Sequence, residues 1–166
     1  VSYTQTLIQQ FLGCGNIGRL IAAHADCFEI AALYDQTPEQ ARELAGRCGG
    51  VAYDSFAAFA GSDIDLVVEA ASVRAVQAHG EAVLRAGKDL VVMSVGALAD
   101  PALLARLRAA ALASGRKVRI PSGAVMGLDN LKVGRIGGID TVVLKTTKSP
   151  ASLGLQVSER TLVFRG

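Results

Sequence analysis

Short apolar runs alternate along this chain with segments in which the apolar residues recur every three or four positions. The apolar runs predict β-strands that are buried on both faces, and the longer repeat predicts amphipathic helices that cover a sheet. We place the strands at about residues 6–12, 28–34, 50–53, 64–71, 88–95 and 117–121. Because strands and helices alternate with short links, the pattern predicts an α/β fold with right-handed crossovers.

Residues that favour helix ends mark the limits of the predicted helices. Thr37 can cap the second helix, and Gln40 can complete a capping box with it. Asp100 suits the cap of the last helix, while Gly87 and Gly115 stand where a left-handed residue would end a helix. This order of elements predicts a doubly wound, mostly parallel sheet with strand order 3-2-1-4-5-6. The first strand is unusual, because two glutamines interrupt its apolar residues.

The sequence Gly-Cys-Gly-Asn-Ile-Gly follows the first predicted strand and leads into the first helix. In a pyrophosphate-binding turn, Gly13 would allow the tight turn and Gly15 would let the phosphates approach the backbone, while Gly18 would let the helix lie close to the strand. The free N–H groups of Asn16, Ile17 and Gly18 would face the anion together with the helix dipole. The spacing therefore predicts a phosphate-binding turn.

Asp35 strengthens this prediction, because three glycines at this spacing are weak evidence alone. It ends the second apolar run, 22 positions after Gly13, where an acidic side chain can accept hydrogen bonds from both ribose hydroxyls of an adenosine. Its charge would repel a 2′-phosphate, and the adjacent Gln36 and Thr37 provide no cation to offset it. The combination predicts a dinucleotide-binding domain of the Rossmann type, with NAD as cofactor and NADP as a further possibility.

Small residues follow the fourth, fifth and sixth predicted strands, at the edge where doubly wound sheets bind ligands. Ala71, Ser72, Gly96 and Ala97 are the candidates after the fourth and fifth strands, and Ser122 follows the sixth. Such residues let the backbone approach a flat ring, so we expect the nicotinamide end of the cofactor here. The alternative is that these are tight loops in which Ser72 only caps a helix.

Composition and charge exclude several classes of function. With 51% hydrophobic and 19% charged residues, the chain is not expected to be disordered. Its net charge of +2 comes from scattered Lys and Arg, which predicts neither a nucleic acid nor a membrane surface as partner. We expect no signal peptide and no membrane span.

Three cysteines lack the spacing of a metal site or a disulfide framework, so we predict no metal and a reducing, cytoplasmic location. Cys14 lies beside a helix N-terminus that could lower its pKa, although a small side chain filling the turn is the simpler interpretation. His24 and His79 lie on helices predicted to run away from the binding edge, so neither is assigned as a catalytic base.

Taken together, these residues resemble the L-aspartate dehydrogenase family from about residue 12 to residue 166. The resemblance is carried by residues 13–18, 29–35, 68–72, 94–97, 122–124 and 127–129. It implies the oxidation of L-aspartate to iminoaspartate with NAD or NADP, which releases ammonia or feeds NAD biosynthesis. It also implies that Ala124 contacts the cofactor.

Family members continue further and carry an asparagine that contacts the cofactor and a histidine that acts in catalysis. The resemblance therefore implies that this chain stops before both, and no catalytic residue is assigned. We expect a dinucleotide-binding domain in residues 1–137 and the incomplete start of a second, α+β domain in residues 138–166. That second domain would bind substrate and would join two copies into a homodimer.

Two other functions remain open from the sequence. The chain could belong to another dehydrogenase of small substrates, such as a relative of homoserine dehydrogenase or dihydrodipicolinate reductase. It could also be a module that binds or senses NAD without catalysis.

Overall fold

The computed structural model of the chain describes residues 7–26, 28–122, 136–141 and 143. The described residues up to Ser122 belong to one compact unit, and the few described residues beyond it belong to a second unit. The domain boundary between residues 137 and 138 stays a prediction. Among the described residues, no helix is both long enough and apolar enough to cross a membrane.

In the described part of the chain, six parallel strands form a single sheet in the order 3-2-1-4-5-6, so the predicted fold class and strand order are confirmed. The two edge strands have only two residues each, which is shorter than predicted. The strands are β1 (Leu7–Leu12), β2 (Phe28–Tyr34), β3 (Val51–Ala52), β4 (Leu66–Glu69), β5 (Asp89–Val92) and β6 (Val118–Arg119).

Within residues 7–122, as far as the structure describes them, five α-helices cover the sheet, and two clusters of buried apolar residues lie between helices and sheet. One cluster joins the sheet to α1 and α2, and the other joins it to α3, α4 and α5. A 3₁₀ turn, Val95–Ala99, precedes the last helix. The helices are α1 (Asn16–Ala23), α2 (Pro38–Cys48), α3 (Phe56–Ala60), α4 (Val73–Arg85) and α5 (Pro101–Ser114).

Most of the predicted helix ends are confirmed. A carboxylate oxygen of Asp100 accepts hydrogen bonds from two backbone N–H groups of the first turn of α5, at 2.9 and 3.3 Å. Gly87 and Gly115 follow their helices with φ angles of +77° and +67°. The prediction of a capping box is wrong, because the side chain of Thr37, which stands at the N-cap position of α2, makes no capping hydrogen bond. Instead, the backbone N–H of Thr37 donates to Asp35 at 2.8 Å.

Gln10 explains the polarity of the first strand. Its side chain is fully buried, and its amide nitrogen donates to the hydroxyl of Ser62 and to the carbonyl of Ile64. Lys88 is also buried and donates through Nζ to the carbonyls of Ser62 and Ile64. Burial lowers the pKa of Lys88. The two side chains thus hold the loop that leads into β4 by donating hydrogen bonds to its backbone carbonyls.

His79 belongs to an aromatic cluster between α4, α3 and the end of β2. Its ring stacks on Phe56, with ring centroids 4.1 Å apart, and meets the edge of Tyr34 at 6.0 Å. The side chain is half-buried, and this burial lowers the pKa of His79 from its ordinary value of 6.5. Protonation would place a charge on a ring that packs against two aromatic side chains, so the folded state favours the neutral form.

We expect the fold to lose stability as pH falls below about 6.5, because the unfolded chain then binds a proton at His79 that the folded chain resists. The stabilisation of the folded state by the neutral His79 ring is fully present above pH 6.5. It is lost as the pH falls towards the lower pKa that His79 has in the folded chain. A His79→Phe variant keeps an aromatic ring but cannot titrate, so its thermal midpoint should drop less than that of the native chain between pH 7.5 and 5.5. His24→Gln, which changes an exposed histidine, is the control and should follow the native chain. Equal drops in all three proteins would contradict the role of His79.

Candidate functional site

Two glycines of the predicted phosphate-binding turn are required by the protein's own packing. Gly13 has a φ angle of +104°, and a Cβ at this position would lie 2.5 Å from the Cβ of Ala71. A Cβ at Gly18 would lie 2.6 Å from the carbonyl oxygen of Gly13. The turn therefore brings the end of β1 against the segment after β4, and α1 against the turn itself.

Gly15 differs, because no atom of the described residues lies within 4 Å of the position its Cβ would occupy. The protein's own packing thus gives no reason for a glycine here. The space beside the backbone is open, which fits a ligand that approaches the peptide closely.

The N-terminus of α1 lacks a side-chain cap. Gly15 stands at its N-cap position, and the first turn contains no acidic residue. In the described part of the chain, the backbone N–H groups of Asn16, Ile17 and Gly18 donate to no acceptor. Three unpaired donors at the positive end of a helix dipole suit a phosphate group.

Asp35 joins the glycine turn to the end of β2. One carboxylate oxygen accepts a hydrogen bond from the backbone N–H of Cys14 at 2.8 Å, and the other accepts from that of Thr37 at 2.8 Å. Each carboxylate oxygen can accept a second hydrogen bond, and Asp35 is only half-buried. The side chain can therefore hold the turn in place and still accept hydrogen bonds from ribose hydroxyls. The link to Cys14 was not predicted, because it depends on how β1 and β2 align.

The simpler interpretation of Cys14, a small side chain that fills the turn, is confirmed. Burial raises the pKa of this thiol to about 12, and the nearby carboxylate of Asp35 acts in the same direction. The side chain is fully buried in the cluster beneath α1 and α2 instead of facing the helix N-terminus. Cys14 therefore fills the turn and is not a reactive thiolate.

The candidates after β4 and β5 occupy different environments. Ala71, Ser72 and Gly96 are exposed, whereas Ala97 is 1% exposed and packs in the core beneath α4 and α5. The hydroxyl of Ser72 accepts a hydrogen bond from the third backbone N–H of α4 at 3.2 Å, so this side chain does cap a helix. Ala124 lies outside the described residues.

Glu69, the last residue of β4, was missed as a member of the site. Its carboxylate is completely buried. One oxygen accepts hydrogen bonds at 2.8 Å from the backbone N–H of Ala71 and from the hydroxyl of Ser94, and the other accepts from the backbone N–H of Ser94 at 2.9 Å. Glu69 thus ties the end of β4 to the end of β5. The available signal was a charged residue inside a run predicted to be buried.

Comparison with known proteins identifies similar chains. The family described as "Homoserine dehydrogenase, NAD binding domain" matches residues 13–121. An L-aspartate dehydrogenase of Methanospirillum hungatei is 56% identical over 155 residues, which cover 93% of this chain and 62% of that protein. An L-aspartate dehydrogenase of Methanocaldococcus jannaschii is 44% identical over 147 residues, covering 86% of this chain and 55% of that protein. The chain therefore spans about three fifths of the length of these relatives.

A solved structure supports the same similarity. The crystal structure of aspartate dehydrogenase from Thermotoga maritima superposes with a TM-score of 0.66 at 28% sequence identity. The superposition covers 96% of this chain and 63% of that chain.

The free energy of unfolding of a Gly13→Ala variant should be lower than that of the native chain by about 1–3 kcal/mol, because alanine disfavours a positive φ and its Cβ would overlap with Ala71. Gly46→Ala is the matched control, since no described atom lies within 4 Å of its added Cβ and the residue lies inside α2. This control should be neutral or more stable by about 0.5–1 kcal/mol. Urea unfolding of the three proteins measures both effects. Equal stability of the two variants would contradict the close approach of Gly13 to Ala71.

Proposed function

Because the chain belongs to the family of NAD-binding domains described as "Homoserine dehydrogenase, NAD binding domain", we propose that it is the cofactor-binding part of an L-aspartate dehydrogenase. The observation that carries the proposal is the 56% identity with an L-aspartate dehydrogenase over 93% of this chain. The reaction would oxidise L-aspartate to iminoaspartate, whose hydrolysis by water yields oxaloacetate and ammonia. A bound nicotinamide dinucleotide would supply the hydride acceptor.

The residues at the carboxyl end of the sheet fit such a cofactor. The backbone N–H groups of Asn16, Ile17 and Gly18 would bind the pyrophosphate, because they are free donors at a helix N-terminus. Gly13 and Gly15 would let it approach the backbone. Asp35 would accept hydrogen bonds from the adenosine ribose.

The nicotinamide end would lie beyond β4 and β5. The exposure of Ala71, Ser72 and Gly96 supports this placement, since these small residues leave a flat ring room to approach. Ala97 is only 1% exposed as a whole residue, so its burial does not support a direct contact with the ring. Ala124 is proposed as a contact on the family resemblance alone.

The nearest alternatives lack comparable support. The family name includes homoserine dehydrogenase, but it describes the cofactor-binding domain, which does not choose the substrate. A module that binds NAD without catalysis stays a distinct alternative that an activity assay separates.

The second domain and the cellular location stay predictions. Ile136 and Val143 are apolar and 88% and 83% exposed, which supports a surface that another protein chain could cover. We propose that this chain forms a homodimer through its second domain, which light scattering would test. The cytoplasmic location rests on the cysteine pattern alone.

We expect the chain to bind NADH more tightly than NADPH, because Asp35 would repel a 2′-phosphate. An Asp35→Ser variant removes both the repulsion of the 2′-phosphate and a charged hydrogen-bond acceptor. NADH binding should therefore weaken about tenfold or more, and the difference between the affinities for NADH and NADPH should become smaller. Titration of cofactor fluorescence measures both affinities. Asp26→Ser is the control, because Asp26 is exposed and precedes β2, at the opposite edge of the sheet. Equal affinities of the native chain for the two cofactors would count against the assignment of Asp35.

The native polypeptide that carries this sequence should reduce NAD on addition of L-aspartate, and much more slowly on addition of L-homoserine. Absorbance of NADH measures both rates. If the protein oxidises L-homoserine and not L-aspartate, L-homoserine replaces L-aspartate as the proposed substrate. Tight NAD binding without turnover of either amino acid would favour the non-catalytic module.

A further inference from the structure

Glu69 carries a negative charge that no cation of the described residues neutralises. It makes no ion pair there, and its three hydrogen-bond partners are two backbone N–H groups and one hydroxyl. An ionised carboxylate is an acceptor only, and this set of donors suits it. The hydrogen bonds offset much of the cost of burial, but they leave the net charge in place.

The position of this charge matters more than its local contacts. Glu69 is paired in the sheet with Leu12, the last residue of β1, and with Val92, the last residue of β5. Its carboxylate therefore lies at the carboxyl end of the central strands, between the segments that begin at Gly13 and Ser94. Ala71, one of its donors, is the residue with which a side chain at Gly13 would overlap.

The edge around Glu69 is where the nicotinamide ring would lie under the function proposed above. The oxidised ring carries a positive charge, and the reduced ring carries none. A buried negative charge interacts with a charge brought nearby more strongly than the same pair would in bulk water, because the protein around the carboxylate has a lower effective dielectric constant. The charge of Glu69 would therefore strengthen binding of the oxidised cofactor and leave binding of the reduced cofactor almost unaffected.

We propose that Glu69 is a specificity-determining residue that makes the site favour the oxidised cofactor over the reduced one. The proposal rests on the proposed function, since it requires the nicotinamide ring to bind at this edge. Opposite unit charges roughly 10 Å apart, at an effective dielectric constant of about 20, attract enough to change a dissociation constant about tenfold. Glu69 needs no direct contact with the ring to have this effect.

A purely structural role for Glu69 makes a different prediction. If the carboxylate only ties the end of β4 to the end of β5, its loss should weaken binding of both redox forms equally. The ratio of the two dissociation constants therefore separates the two roles, whereas the loss of affinity alone does not.

The test uses isothermal titration of NAD⁺ and NADH into the 166-residue chain and three variants. Glu69→Gln keeps the size of the side chain and removes its charge, so the ratio of the NAD⁺ to the NADH dissociation constant should rise about tenfold. Ser94→Ala removes one hydrogen bond from the same carboxylate and keeps the charge, so this ratio should stay close to the native value. Asp35→Asn changes the adenosine end, which is common to both forms, so both affinities should fall together.

A second measurement needs no change to Glu69, in case Glu69→Gln fails to fold. Benzamide adenine dinucleotide has the shape of NAD⁺ but a neutral ring. The native chain should bind NAD⁺ about tenfold more tightly than this analogue, because only NAD⁺ offers a charge to Glu69.

The outcomes distinguish the two proposals. If the native chain binds neither NAD⁺ nor NADH, the proposed function fails. If it binds both, but the ratio is unchanged in Glu69→Gln or the neutral analogue binds as tightly as NAD⁺, the role of Glu69 is overturned. A raised ratio in Glu69→Gln with an unchanged ratio in Ser94→Ala supports it.

Discussion

The close approach of backbone at Gly13 is the constraint on which the rest of the site depends. A side chain at Gly13 would overlap with Ala71, and one at Gly18 would overlap with the carbonyl oxygen of Gly13. The end of β1, the start of α1 and the segment after β4 therefore meet at one point. Because these segments meet, the free amides of α1 lie at the same end of the sheet as the carboxyl ends of the central strands. Any larger residue would separate the parts that have to act on one ligand.

Buried polar side chains form hydrogen bonds with the backbone at both ends of this sheet, as donors at one end and as an acceptor at the other. At one end, Gln10 and Lys88 donate hydrogen bonds to backbone carbonyls of the loop before β4. At the other end, Glu69 accepts hydrogen bonds from backbone N–H groups beyond β4 and β5. Loops at strand ends leave such backbone groups unpaired, and the cost of burying them explains why polar residues interrupt these apolar strands. The polar residues that break the apolar pattern are therefore part of the fold.

The sequence allowed the strand order and the glycine turn to be predicted, because both depend on local spacing and on the handedness of crossovers. Thr37 stands at the N-cap position of α2 as predicted, but the capping box with Gln40 does not form, because the backbone N–H of Thr37 that Gln40 would accept from donates to the carboxylate of Asp35. The role of Glu69 could not be predicted, since its partner Ser94 is 25 residues away and becomes a neighbour only when β4 and β5 pair. The raised pKa of Cys14 likewise depends on which way the side chain points. Local pattern thus specified the elements, while the contacts between strand ends required the three-dimensional structure.

The double use of Asp35 limits how this scaffold can evolve. The carboxylate that we propose selects the cofactor also holds the backbone of the glycine turn through Cys14. A lineage that exchanged Asp35 for a residue tolerant of a 2′-phosphate would loosen the turn in the same step. A change of cofactor preference here would therefore need a compensating substitution, acquired before or together with it, that anchors the turn in another way.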